Sequence, residues 1–122
     1  MNMNKGIGIN NKGKKIVYPI DNGILDCSYQ NLISIEIPIG VKIVYCENNN
    51  LTELIIPEGI KMVSCENNKL TELILPETVK EVLCYNNQLT ELILPDTVKE
   101  VWCDREVKGL DNLIGNTNIN LI

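Results

Sequence analysis

Residues 65–83 read CENNKLTELILPETVKEVL, and residues 84–102 read CYNNQLTELILPDTVKEVW. These are one 19-residue unit written twice, and CENNNLTELIIPEGIKMVS at 46–64 is the same unit again. Two residue types mark the period independently. All five cysteines, Cys27, Cys46, Cys65, Cys84 and Cys103, lie 19 apart, and all five prolines, Pro19, Pro38, Pro57, Pro76 and Pro95, form a second comb of the same spacing. A diverged copy, CSYQNLISIEIPIGVKIVY, fills 27–45, and a partial one starts at Cys103 before the pattern fails at Glu106, Val107 and Lys108. Self-similarity at a short fixed period signals stacked coils, each able to bury its apolar edge only against a neighbour.

Numbering each unit with cysteine at position 6 sorts the residues into columns. Position 4 holds Leu25, Val44, Val63, Val82 and Val101, alternating with cysteine, and position 1 holds Val41, Ile60, Val79 and Val98. Alternation of this kind with β-branched residues is a strand signature, so each coil is expected to add one short strand to a parallel sheet. Positions 11, 14 and 16 hold Leu51, Leu54 and Ile56, then Leu70, Leu73 and Leu75, then Leu89, Leu92 and Leu94, and these also point inward. This second LxxLxL segment is a candidate for another strand. The two segments, an Asn turn and a Pro turn consume nearly the whole period, which leaves no room for a helix. Pro at position 17 stops strand pairing and sets the turn, with Gly40 and Gly59, or Thr78 and Thr97, just before the next coil.

Read from position 1, residues 79–89, VKEVLCYNNQL, fit the spacing LxxLxLxxNxL, with cysteine in the third apolar place. Over roughly residues 16–105 the chain resembles a short-period leucine-rich-repeat protein. The nested second LxxLxL resembles the IRREKO subclass of bacteria and giant viruses. The resemblance implies a mostly β, right-handed leucine-rich-repeat-like solenoid of about five 19-residue coils, with a parallel sheet and almost no helix. It also implies that Asn49, Asn68 and Asn87 at position 9, with Gln30 ahead of them, turn inward to bond backbone groups, and that the sheet face is the binding face.

End coils need covers. Residues 1–21 are expected to form an N-terminal cap and partial coil, since Ile16, Tyr18 and Pro19 keep the repeat register. Residues 22–105 form the solenoid, and 106–122 a C-terminal cap and tail in which Leu110, Leu113 and Ile114 cover the last coil.

The net charge of -5 and the single arginine, Arg105, argue against nucleic acid as a partner, because phosphate neutralisation needs clustered cations. No run approaches the roughly 18 apolar residues of a spanning helix, and the Asn-rich start lacks the apolar core of a signal peptide. A chain inside the cell, in the cytoplasm (that of the host if the source is viral), is the expectation. An odd number of cysteines excludes full pairing in a monomer, which fits free thiols in a reducing compartment.

No column reads as a reactive site. Stacked cysteines form a line rather than a tetrahedron, and no histidine completes a metal site, so the column reads as small buried hydrophobes and no metal or cofactor is expected. The Glu53, Glu72 and Glu91 column and the Lys42, Lys61, Lys80 and Lys99 column read as solvated faces. Catalysis would need carboxylates in different environments, whereas a repeat offers the same one each time. Calcium on the Glu row lacks an Asp-rich loop, and Thr52, Thr71 and Thr90 are too few, beside bulky Glu, for an ice-binding array.

Apolar residues at outward places are the informative anomaly. Positions 3, 5 and 7 face outward from the sheet, and there lie Ile43, Tyr45, Met62, Leu83, Tyr85 and Trp102. Aromatics are enriched in recognition surfaces. The expected function is a non-catalytic protein-protein interaction module presenting this sheet face; the alternative is a structural homodimer using the same face. A second outward stripe, Ile55, Ile74 and Ile93, sits at position 15 on the opposite side.

Overall fold

The computed structural model describes residues 4–111 and 117–122. Among these the chain forms nine strands, β1 (Lys5–Asn10), β2 (Lys15–Pro19), β3 (Ile24–Asp26), β4 (Leu32–Glu36), β5 (Ile43–Tyr45), β6 (Met62–Ser64), β7 (Glu81–Leu83), β8 (Glu100–Cys103) and β9 (Asn118–Leu121), and no α-helix. Two sheets result, a parallel one in the order β3-β5-β6-β7-β8-β9 and an antiparallel one in the order β2-β1-β4. The parallel sheet is one wall of a β-solenoid of about five turns.

Cross-strand register follows the repeat. Leu25 pairs with Val44, Val44 with Val63, Val63 with Val82 and Val82 with Val101. This position-4 column and the five cysteines beside it are at most 1% exposed. The opposite wall, at positions 11, 14 and 16, is buried against them, so a single apolar core runs the length of the solenoid. Full burial of one such side chain stabilises by roughly 1.5–3 kcal/mol, and stacking recovers that term once per column per coil.

The turns are built from asparagine. At position 8, Asn48, Asn67 and Asn86 take left-handed φ values of 60°, 57° and 60°, a conformation asparagine tolerates better than most residues. At position 9 the side chains turn inward. Asn68 Nδ2 donates to the carbonyls of Cys46, 3.0 Å away in the previous coil, and Cys65, 3.1 Å away in its own, while Oδ1 accepts from Leu51 N–H at 2.9 Å. Asn49 and Asn87 repeat the pattern. Gln30 does not join the column. It is exposed, and its side chain accepts from the Tyr18 hydroxyl at 3.3 Å, because the first coil has no preceding coil for an amide to stitch. At the other corner, the Pro76 and Pro95 carbonyls accept from Val79 and Val98 at 3.2 Å.

The second LxxLxL segment is a strand only in the first coil, as β4. Positions 12 and 13 are both exposed in each coil, and two consecutive outward residues break the alternation a ladder requires. Beyond β4, corner bonds such as Lys69 N–H to Leu51 O at 2.8 Å join the second, third and fourth coils, and Lys108 bridges to the fourth, donating to Thr90 O at 3.1 Å and accepting from Leu92 N–H at 2.8 Å. β4 pairs with β1 through a register shift between Ile9 and Asn10 that absorbs the irregularity.

Both ends carry strands that the repeat register did not indicate. Rather than stacking directly on the first coil, β2 is held one strand away by β1, which folds back as a hairpin and inserts between β2 and β4. The Lys-Gly-Ile-Gly-Ile sequence allows this. A Cβ on Gly6 would lie 2.8 Å from Leu25 Cδ1, and one on Gly8 would lie 2.9 Å from Leu32 Cδ2, so the bare backbone of β1 lies on the core. At the C-terminal end, Val107 is 8% exposed, and Lys108 bridges Glu91 where the repeat pattern had failed. Leu110 packs on the core as expected, whereas Leu113 and Ile114 lie outside the described residues. β9 extends the parallel sheet, pairing Val101 with Ile119, a step of 18 instead of 19.

Candidate functional site

The outward face of the parallel sheet carries the six residues singled out in the sequence. Register places Ile43 beside Met62 at position 3 and Leu83 beside Trp102 at position 5. Tyr45 is separated from Leu83 by Ser64, and position 3 continues past Met62 with Glu81 and Glu100. Ile24 on β3 extends the first pair. The face therefore holds an Ile24-Ile43-Met62 patch toward the N-terminal end and a Leu83-Trp102 patch toward the C-terminal end. All six residues are half-buried, because neighbouring strands about 4.8 Å apart shield one another's side chains.

At position 7, along one edge of this face, lies an acidic pair that the sequence reading did not single out. Glu47 and Glu66 occupy position 7 of the second and third coils. Ser64 is 3% and Glu66 9% exposed, and the Ser64 hydroxyl donates to Glu66 Oε1 at 2.6 Å. Glu47 Oε1 is buried with no hydrogen-bond partner. Burial is the largest influence on the Glu47 carboxyl and raises it above the usual carboxylate range; Glu66 and Asp26 push the same way, while its own backbone N–H and Ser64 pull against them. Tyr85 follows in the same column, its phenol pushed up by burial and then by Glu66, Glu47 and Tyr29. The only signal in the sequence was the residue after each cysteine, Glu in two coils and Tyr in the next. Tyr29 was also missed. It is 70% exposed and stands at position 8 with φ 57°, where later coils have asparagine.

The cysteine column faces the other way, into the core, and all five thiols are free and buried. Burial pushes Cys27 up to about 12 and Cys46 and Cys65 well above the ordinary thiol range, so the nucleophilic thiolate is suppressed. Among the described residues, no group of three or more histidine, cysteine or acidic side chains is arranged to hold a metal ion. No helix among them is long and apolar enough to cross a membrane.

On the opposite wall Ile55, Ile74 and Ile93 are far more exposed than any of the six sheet-face residues, at 78%, 70% and 66%. The sequence matches no protein-family model and no curated protein.

Proposed function

We propose that this chain is a non-catalytic protein-interaction module of leucine-rich-repeat type, and that the outward face of its parallel sheet receives a protein partner. The observation that supports this reading is the strand register, which aligns Tyr45, Leu83 and Trp102 at one position of successive coils on a hydrogen-bonded sheet. Side chains held on a rigid sheet lose little freedom on binding, so more of their burial becomes affinity. The Glu47-Glu66 pair at the edge of this face, with Glu66 buried and Glu47 half-buried, adds a specific demand. A partner cation placed there would compensate the desolvation of these carboxylates and reach the unpaired Glu47 Oε1, and a partner lacking one would not.

The test is recovery of partners by chemical cross-linking to the wild-type chain and to the Tyr45→Ala, Trp102→Ala double variant, with matching melting curves as the fold control. The same cross-linked species on both proteins would refute the assignment. Sedimentation over a concentration series addresses the homodimer on the same face: a dimer that the double substitution dissociates would replace a foreign partner with a second copy.

A further inference from the structure

The wall opposite the sheet carries a different kind of surface. Ile55, Ile74 and Ile93 repeat at position 15 in three successive coils and are 66–78% exposed. One exposed isoleucine is ordinary, but a file in register over three successive coils forms a patch. The patch is corrugated, because the coils here are not joined by a continuous ladder. A groove of about 400 Å³ separates Ile55 from Ile74, and one of about 260 Å³ separates Ile74 from Ile93. Toward the N-terminal end, a groove of about 450 Å³ lies between Ile55 and the outward Ile7 and Ile9 of β1. Ridges and grooves thus alternate from the hairpin to the fourth coil.

Charge and spacing together define what fits. Two residues before each stripe isoleucine stands an exposed carboxylate, Glu53, Glu72 or Glu91, and three residues after it stands another, Glu58, Glu77 or Asp96. Lys108 offsets this field at one end, beside Glu91. The lysines at position 2 lie past the next turn, just before the sheet strands. Laying a second copy on this stripe would set acidic rows against acidic rows, and an anionic membrane would be repelled in the same way. The complement is an apolar stripe bordered on both sides by cations. Coils repeat about every 4.8 Å, close to the 5.4 Å turn of an α-helix and well short of the roughly 6.7 Å between same-face residues of an extended strand. From Ile7 to Ile93 is four strand steps, about 19 Å, the length of about 13 helical residues.

We propose that the Ile55-Ile74-Ile93 stripe is a second docking surface, for a basic amphipathic helix of a partner protein running along the solenoid with one apolar anchor per turn. It lies on the other side from the sheet face and does not depend on that face.

The experiment titrates the full chain into a fluorescently labelled peptide of about 14 residues, long enough to span the stripe as a helix, with leucine on one helical face and lysine elsewhere. Binding is expected to weaken with salt and to vanish when every lysine is replaced by glutamate. Ile55→Ser and Ile74→Ser should each weaken it about tenfold, the loss of one buried anchor. Both sites are exposed, so the melting temperature should not move, and the Tyr45→Ala, Trp102→Ala variant should bind as well as wild type. Unchanged binding by Ile74→Ser, equal binding of the glutamate peptide, an Ile74-dependent dimer of the free chain, or capture of phosphatidylserine vesicles in preference to the peptide would each overturn the proposal.

Discussion

Replacing Asn68 with leucine tests the physical basis of the repeat most directly. If position 9 merely filled space, an apolar side chain of similar size would be tolerated. In the structure the Asn68 amide is 7% exposed, accepts from Leu51 N–H at 2.9 Å and donates to the carbonyls of Cys46 and Cys65 at 3.0 and 3.1 Å. A longer contact of 3.4 Å reaches the Glu66 carbonyl. Leucine would leave the buried Leu51 donor unpaired, at about 1–3 kcal/mol, and would remove one of two side-chain donors from each of the Cys46 and Cys65 carbonyls, which keep those of Asn49 and Asn87, at about 0.5–1.5 kcal/mol each. Burial of the added apolar atoms offsets part of this, so the net loss should be about 2–4 kcal/mol. Urea unfolding should show a lower midpoint with an unchanged slope, and thermal melting should fall by on the order of 10 °C. Asn87 makes the same bonds from a half-buried site that water can reach, so Asn87→Leu should cost less. A loss below about 1 kcal/mol for Asn68→Leu, less than one buried unpaired group should cost, would refute the reasoning, as would an equal loss at the two sites.

The remaining expectations concern other columns. The native thiols should resist a disulfide reagent at neutral pH and react only as fast as the chain unfolds; rapid labelling of Cys46 or Cys65 in the folded state would contradict their burial. With Cys27 raised to about 12, its contribution to stability is complete below the ordinary thiol range near 9 and is lost as pH climbs toward 12, because the unfolded chain ionises first. Alkaline melts should decline over that window, and a Cys27→Ala variant should decline less. Glu47 has the same sign at lower pH. Its raised carboxyl disfavours the folded state once ionised, so Glu47→Gln should raise the melting temperature at pH 7 and lose that advantage as acid protonates the wild type; a lower melting temperature at pH 7 would show the carboxylate to be satisfied. Gly8→Ala places a methyl 2.9 Å from Leu32 Cδ2 and 3.1 Å from Tyr18 Cε2, and the cost should be about 1–3 kcal/mol, as for other overpacked cores. An unchanged urea midpoint would mean that β1 does not rest on the core.

Much of this was legible because a repeat states each structural demand several times. Val63, Cys65 and Leu70 recur with the same spacing in neighbouring units, so their inward direction could be read without coordinates, as could the role of Asn68. The ends were harder, because each occurs once. Ile16, Tyr18 and Pro19 keep the repeat register, yet β1 comes between them and the first coil, an arrangement set by two glycines whose significance depends on what lies beneath them. Residues 118–121 carry no cysteine and sit one residue out of phase, so their place as a sixth strand left no periodic trace.

The candidate surfaces divide along the same line. Alternation is a local property of the strand, so outward positions 3, 5 and 7, and the Ile stripe at position 15, were determined by the sequence alone. Exposure is not local, since it depends on how tightly neighbouring coils approach. Only the tertiary structure decided that Tyr45, Leu83 and Trp102 stand half-buried beside a desolvated Glu47-Glu66 pair. It alone decided that the wider-open wall belongs to Ile55, Ile74 and Ile93. The physical reason is hydrogen bonding between coils: a continuous ladder packs side chains of the sheet face shoulder to shoulder, while the opposite wall, joined at its corners, leaves grooves between its ridges.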